Sequence, residues 1–173
     1  MATIQIDTRE KPRAIEKILA TFDNAEIPYI SSKMYVGDYC LLENPLYIID
    51  RKQNIAEIAE NATSGHGRMK RELERLKKIG GQMVFLIEQN KYKAPNGHTR
   101  IVFNLEDIMF WENPHGVVDG IQVYKVLSSW QAKYPVSYRF CGKRETGTEI
   151  LSILERGLAA KKQIEGLKDV EKD

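Results

Sequence analysis

The chain has 173 residues, about one domain and enough to bury a continuous core; with 42% hydrophobic and 29% charged residues it is an ordinary globular composition, not a collagen-like or disordered one. The formal net charge of +2 argues neither for nor against an acidic partner. No apolar run approaches the roughly 20 residues of a membrane span, the first seven residues lack the basic segment and apolar core of an export signal, and Cys40 and Cys141 are too few for a disulfide framework or a thiolate metal site, which fits a reducing compartment.

Apolar and polar residues alternate over 4–7, predicting a strand that ends at Thr8-Arg9-Glu10-Lys11-Pro12, where Pro12 rules out a helix interior. Ile15, Ile18, Leu19 and Phe22 recur every three or four residues and predict a helix. An extended stretch over 28–35 leads to a Gly37-Asp38 turn. Two short strands, 39–43 and 47–51, are expected to join through Asn44-Pro45-Leu46. Ile55, Ile58, Ala59 and Ala62 form a helical stripe ended by Thr63-Ser64-Gly65. The next helix, 68–79, sets Met69, Leu73 and Leu76 on one face and Arg68, Arg71, Arg75 and Lys78 on another. The run 82–88 is short, apolar and preceded by Gly80-Gly81, as in a buried strand, and 91–100, with Asn96-Gly97, is an exposed loop or hairpin tip. A short helix at 105–111, a longer one at 118–133, a strand at 136–140 and a helix starting near Thr148 follow, the last with Thr146 and Glu149 at capping-box spacing. Alternating strands and helices predict one α/β domain over 1–160, and the charged tail 161–173 extends the last helix or frays.

Charge is concentrated locally. Between Gly65 and Lys78 stand six basic residues, Arg68, Lys70, Arg71, Arg75, Lys77 and Lys78, against Glu72 and Glu74. Alone this is a solvated helix face; next to a reaction centre it becomes a phosphate track. The sharpest candidate geometry is the expected hairpin. If Glu43 opposes Tyr47, Asp38 falls opposite Lys52 and Cys40 opposite Asp50, and alternation puts Asp38, Asp50 and Lys52 on one face with direct neighbours about 5 Å apart. Two carboxylates about 5 Å apart repel by roughly 3 kcal/mol at an effective dielectric near ~20, so the site calls for Lys52, a bound cation or a shared proton. Hard oxygen ligands favour Mg²⁺ or Mn²⁺. Taken alone, the grouping reads first as a polar strand end, because such groupings are common.

Three motifs in order shift that balance. Ile6-Asp7-Thr8-Arg9-Glu10, Val36-Gly37-Asp38-Tyr39 and Ile49-Asp50-Arg51-Lys52 resemble the Val-Asp-x-Arg-Glu, Gly-Asp-Tyr and Glu-Arg-Lys motifs of the XPF-type structure-specific endonucleases, a branch of the PD-(D/E)xK nuclease superfamily. Gly67-Arg68, Glu72 and the stretch Val84-Phe85-Leu86-Ile87-Glu88 resemble the helix and strand that follow there. The resemblance covers the first half by motif and the second half by element order. It implies a restriction-endonuclease-like core, a central mixed sheet flanked by helices. It also implies Asp38 and Asp50 as metal ligands together with the backbone carbonyl of Arg51, and Lys52 as the group that orients or activates the attacking water or stabilises charge on the phosphate. Asp7 and Glu10 would complete the acidic cluster, Arg9 would contact the scissile strand, and Arg51, Arg68, Lys70, Arg71 and Arg75 would meet the DNA. The implied reaction is Mg²⁺- or Mn²⁺-assisted hydrolysis of branched, flap or junction DNA in repair or recombination, with neither a nucleotide cofactor nor a membrane, in a prokaryotic or virus-infected cytoplasm. The family also implies a homodimer through the C-terminal half, where Ile121, Tyr124, Leu127 and Trp130 on one helix and Ile150, Leu151, Leu154 and Leu158 on another are apolar; burial within the monomer is the alternative use of these faces.

Two positions depart from the pattern: Asp50 replaces a Glu, and Ala56 stands where an acid is usual, next to Glu57. No helix-hairpin-helix or helicase segment is recognisable, so substrate choice is expected to rest on the nuclease domain. A rival reading is a nuclease-like DNA-binding subunit with impaired chemistry. A small-molecule α/β enzyme is the third, and no motif suggests its pocket. Gly65-x-Gly67 lacks a dinucleotide loop's third glycine, and His66, His98 and His115 lack ligand spacing, with His66 a candidate DNA contact. Cys40, Trp111 and Trp130 read as packing residues.

Overall fold

Strand β1 (Ile4–Ile6) buries Ile4 and Ile6 and turns Gln5 outward, the alternation of a half-buried strand. The computed structural model describes residues 2–170, and β1 belongs to a mixed six-stranded sheet ordered β2-β1-β3-β4-β5-β8. The other members are β2 (Tyr29–Ser31), β3 (Tyr39–Leu41), β4 (Asn44–Lys52), β5 (Gln82–Ile87) and β8 (Val136–Phe140), while β6 (Lys91–Lys93) and β7 (Thr99–Ile101) pair separately as a hairpin. The helices are α1 (Glu16–Asn24), α2 (Ile55–Ala62), α3 (His66–Lys78), α4 (Gly120–Lys133) and α5 (Thr146–Val170), with 3-10 turns at Pro12–Ala14 and Leu105–Phe110. The chain divides into two compact units, one running to Ile49 and resuming at Arg144, the other Asp50–Lys143. Their boundary falls within β4. Among the described residues no helix is long and apolar enough to cross a membrane.

In the first unit β1 pairs in parallel with β2 and antiparallel with β3, and β3 runs antiparallel to β4. Helices α1 and α5 pack on each other, with Phe22 of α1 edge-on to Tyr39 at 6.5 Å between centroids. Gly157 of α5 lies on the Tyr47 ring, where any Cβ would collide with it. Helix α5 starts at Thr146, two residues earlier than expected, because the Glu149 amide already makes a helical bond to the Glu145 carbonyl at 2.9 Å. Thr146 is thus its first residue. The charged tail extends this helix to Val170, and residues 171–173 lie outside the described range.

The expected hairpin register is not formed. Cys40 pairs with Ile48, not Asp50, and Tyr39 with Ile49. The chain turns at Leu42-Glu43, and Asn44-Pro45-Leu46, the expected turn, begins β4. Pro45 offers no N–H to a ladder, and the register shift between Cys40 and Leu41 passes over it, since Leu41 pairs with Asn44. The slip is two positions, so it leaves side-chain alternation intact.

In the second unit β5 pairs in parallel with β8, from Met83 opposite Val136 to Ile87 opposite Phe140. Met83 to Ile87 are all buried, as a continuous apolar run requires. Helix α3 lays Met69, Leu73 and Leu76 toward this core, and Phe85 stacks on Tyr138 at 5.5 Å. Asn54 caps α2 by accepting from the Glu57 amide at 2.8 Å, while Glu57 accepts from the Gln53 amide at 2.7 Å. The expected hairpin over 91–100 forms, the short helix near 105 is a 3-10 turn, and Trp111 and Trp130 are buried.

Candidate active site

Two of the motifs meet inside the first unit. Asp7, the residue after β1, is fully buried, and its carboxylate receives three donors: the Arg9 amide at 2.9 Å and Arg9 Nε at 2.5 Å on Oδ1, and the Met34 amide at 2.6 Å on Oδ2. Burial alone would raise its pKa, but the bonds from the Arg9 side chain, the Met34 amide and the Arg9 amide outweigh that and hold it below the ordinary value. The Asp7 amide donates to the Asp38 carbonyl at 2.8 Å, and the Asp38 amide donates to the Ile49 carbonyl at 2.8 Å. Asp38, half-buried, is thus pinned by its backbone between β1 and β4. Gly37 before it has φ of +72°, a left-handed conformation, and presses on Ile48, so only glycine fits. Arg9 extends one guanidinium nitrogen to the Gly37 carbonyl at 3.1 Å, and Tyr39 donates its hydroxyl to Glu10 at 2.7 Å. The sequence signal for these contacts was the motif spacing; the Met34 contact, 27 residues away, had none.

The charged residues of the third motif, Asp50, Arg51 and Lys52, lie in the second unit. On β4, Asp50 and Lys52 share a face by alternation, and Lys52 Nζ stands 2.7 Å from Asp50 Oδ1, with both side chains less than a tenth exposed. Apart from that ion pair, Asp50 Oδ1 is buried with no hydrogen-bond partner. Lys52 Nζ also lies 5.8 Å from the centre of the Phe85 ring. Arg51 points to the other face, where its Nη1 is 2.9 Å from Glu88 Oε1 in a second buried pair. Its guanidinium is therefore engaged by protein, and sequence reasoning did not anticipate Glu88 as that partner. The Glu88 amide in turn donates to the Lys52 carbonyl at 2.8 Å.

Of the basic residues on α3, Arg68, Lys70 and Arg71 are exposed and Arg75 is half-buried. Glu74 accepts from the Tyr134 hydroxyl at 2.6 Å. His66 lies 6.0 Å from the Trp130 ring. Cys40 is buried, and burial pushes its thiol up to about 11, which suits a packing residue.

Among the described residues no group of three or more His, Cys, Asp or Glu side chains is arranged to hold a metal ion. The donor chemistry at Asp50 is that of a hard-cation ligand, a buried carboxylate oxygen whose charge the Lys52 ammonium now answers, so a divalent ion there would share or displace that contact.

A family model for the ERCC4 domain matches residues 6–154. The fold is similar to that of XPF from Aeropyrum pernix, at 15% identity and a TM-score of 0.61, over 96% of this chain and 69% of that one. It is equally similar to XPF from Aeropyrum pernix in complex with DNA, at 17% identity and a TM-score of 0.61, over 93% of this chain and 66% of that one. No curated protein matches the sequence. The structural likeness bears out the expected core, a central mixed sheet flanked by helices.

Proposed function

Because the chain belongs to the ERCC4 domain family, we propose that it is a metal-dependent endonuclease that hydrolyses phosphodiester bonds in branched, flap or junction DNA during repair or recombination. Family and fold together support the coarser statement, a nuclease- or repair-type function on DNA, and the DNA complex of the similar structure supports DNA as the partner. The observation that carries the finer reading is the buried Asp50–Lys52 pair on the strand whose preceding residue, Ile49, anchors the Asp38 backbone. In this reading Asp38, Asp50 and the Arg51 carbonyl hold Mg²⁺ or Mn²⁺, which when bound supplies Lewis-acid stabilisation of the phosphorane-like transition state and a more acidic water. Lys52 orients the attacking water and faces the charge that develops on the phosphate. Glu10 adds negative charge beside the cation, Asp7 fixes the loop that carries Arg9, and Arg9 with Arg68, Lys70, Arg71 and Arg75 holds the strand.

The test is incubation with labelled flap, fork and four-way junction DNA in Mg²⁺. Wild type cuts, and Asp38→Asn and Lys52→Ala each lose at least about 100-fold in rate while largely keeping affinity. The lack of a three-ligand acidic group among the described residues, together with Ala56, favours a second reading, the DNA-binding subunit with impaired chemistry. Binding without cutting by wild type selects it.

A homodimer through the C-terminal half belongs to the same proposal. Leu127, Trp130, Ile150 and Leu154 are buried, so its support rests on exposed Ile121 and on Ile164, Leu167 and Val170 of α5. Sedimentation of the wild type against Ile164→Lys/Leu167→Lys checks this, a unchanged monomeric mass in both refuting the dimer.

A further inference from the structure

Lys52 is the last residue of β4, and after Gln53 and Asn54 the chain enters α2 at Ile55. A strand end is where a backbone ordinarily frays, yet this one carries a lysine whose ammonium stands 2.7 Å from Asp50. Glu88 and Gln89, the two residues after β5, tie the segment 51–55 down at three points. The Glu88 amide donates to the Lys52 carbonyl at 2.8 Å, and the Glu88 carboxylate takes the Arg51 guanidinium at 2.9 Å on the strand face opposite Lys52. Gln89 Oε1 accepts from the Ile55 amide at 2.9 Å, while its Nε2 donates to the Lys91 carbonyl at 3.1 Å, so this side chain is itself fixed from both directions.

Sheet cohesion alone does not call for the Arg51–Glu88 pair. Both side chains are a tenth exposed or less, and an apolar pair in that place would hold the strands as well or better, because neither charge would have to leave water. What the ion pair adds is direction: a charge-assisted hydrogen bond fixes a length and an angle between β4 and the end of β5. Arg51 and Lys52 share a peptide unit and point to opposite faces. A bond that fixes the Arg51 side chain therefore sets the rotation of the strand about its axis, and with it the aim of Lys52. The Gln89 bond to Ile55 does the same from the α2 side.

Resting on the reading of Lys52 as the group that orients the attacking water, we infer that Glu88 is a positioning residue for Lys52, with Gln89 as its second anchor. The two act through the backbone of residues 51–55 and touch neither DNA nor metal. Without them Lys52 keeps its charge and loses its aim. A displacement of about 1 Å in a reacting group is worth up to about 100-fold in rate, and partners that orient an active-site side chain from behind are worth about 10- to 100-fold.

The test compares the full wild-type chain with Arg51→Met/Glu88→Leu, which puts an apolar pair in place of the charged one, and with Gln89→Ala and Gln89→Glu. Cleavage of labelled junction DNA in Mg²⁺ gives kcat and KM, thermal unfolding gives Tm, and amide hydrogen exchange without metal or DNA reads the segment directly. The double variant keeps the wild-type Tm and KM and loses about 10- to 100-fold in kcat. Its amides at residues 53–55 and 88 exchange about ten-fold faster or more, while those at 84–86 stay protected. Gln89→Ala also loses about ten-fold in kcat, and Gln89→Glu, which keeps an acceptor for the Ile55 amide, recovers it. Wild-type kcat in the double variant overturns the inference alone and makes the pair sheet packing. So does a raised KM with a lower salt slope and intact kcat, which puts the Arg51 guanidinium on a phosphate. Should the double variant lose Tm, the Gln89 variants decide, and equal kcat for Gln89→Ala and Gln89→Glu overturns the inference. No cutting by wild type overturns the nuclease reading itself, and this inference with it, before any variant is compared.

Discussion

Replacing Lys52 with Met removes the ammonium 2.7 Å from Asp50 Oδ1 and leaves an aspartate side chain only 6% exposed, with no other hydrogen-bond partner on that oxygen. Over that distance the lost attraction is about 6 kcal/mol at an effective dielectric near ~20. The ammonium's own desolvation is recovered at the same time, so the expected loss falls to the scale of other broken buried pairs, about 3–5 kcal/mol. For a chain of this length that is roughly 6–20 °C in Tm. Replacing both partners, Asp50→Leu/Lys52→Met, removes the uncompensated charge and is expected to lie near wild type. The assay is urea unfolding by circular dichroism on wild type, both single variants and the double, with the m-values compared. Divalent ion adds a second readout: Mg²⁺ raises the Tm of Lys52→Met more than that of wild type, because a cation then answers a carboxylate that has lost its own. A single-variant loss under about 1 kcal/mol, or a double variant as damaged as the sum of the singles, refutes the claim that the pair is buried and mutually compensating.

Asp7 sets an acid limit on stability. Its pKa is lowered on folding from 3.8, so its contribution is present in full above that value and is lost as pH falls through the lower folded one; Asp7→Asn flattens this limb of a urea-midpoint profile between pH 2 and 6. Gly157→Ala drives a methyl into the Tyr47 ring and is expected to cost about 1–3 kcal/mol by overpacking, read as a lower Tm, and an unchanged Tm refutes the contact. Arg51→Met strands Glu88 in a buried setting, so it lowers Tm while the salt slope of DNA binding stays fixed; a slope reduced by about 0.9 instead places the guanidinium on a phosphate.

The parts of the fold that could be read ahead are those whose cause is local. Five consecutive buried apolar residues after a diglycine specify β5, and the three- and four-residue spacing of Met69, Leu73 and Leu76 specifies the inner face of α3. The β3–β4 register misled because Asn-Pro is ordinarily a turn signal, whereas here a bulge carries Pro45 inside a strand and the turn falls on Leu42-Glu43, which has no turn chemistry. The start of α5 was misplaced for a similar reason: a spacing that suits a cap also suits the first turn of a helix already begun. The long-range partners had no signal at all. Glu88 stands 37 residues from Arg51, and Met34 contributes only its amide to Asp7, which any residue type would supply.

Equal standing in a motif therefore hides unequal roles. Asp7 and Arg51 both belong to the motifs by which the sequence resembles the nuclease family, yet three donors converge on the Asp7 carboxylate and Glu88 engages the Arg51 guanidinium. The Asp7 amide in turn bonds the Asp38 carbonyl, and the Glu88 amide bonds the Lys52 carbonyl. Asp50 differs in kind. Its Oδ1 is buried, charged, and answered by a single ammonium, a state that costs stability in a protein needing only a fold and becomes intelligible if a cation and a phosphate complete it.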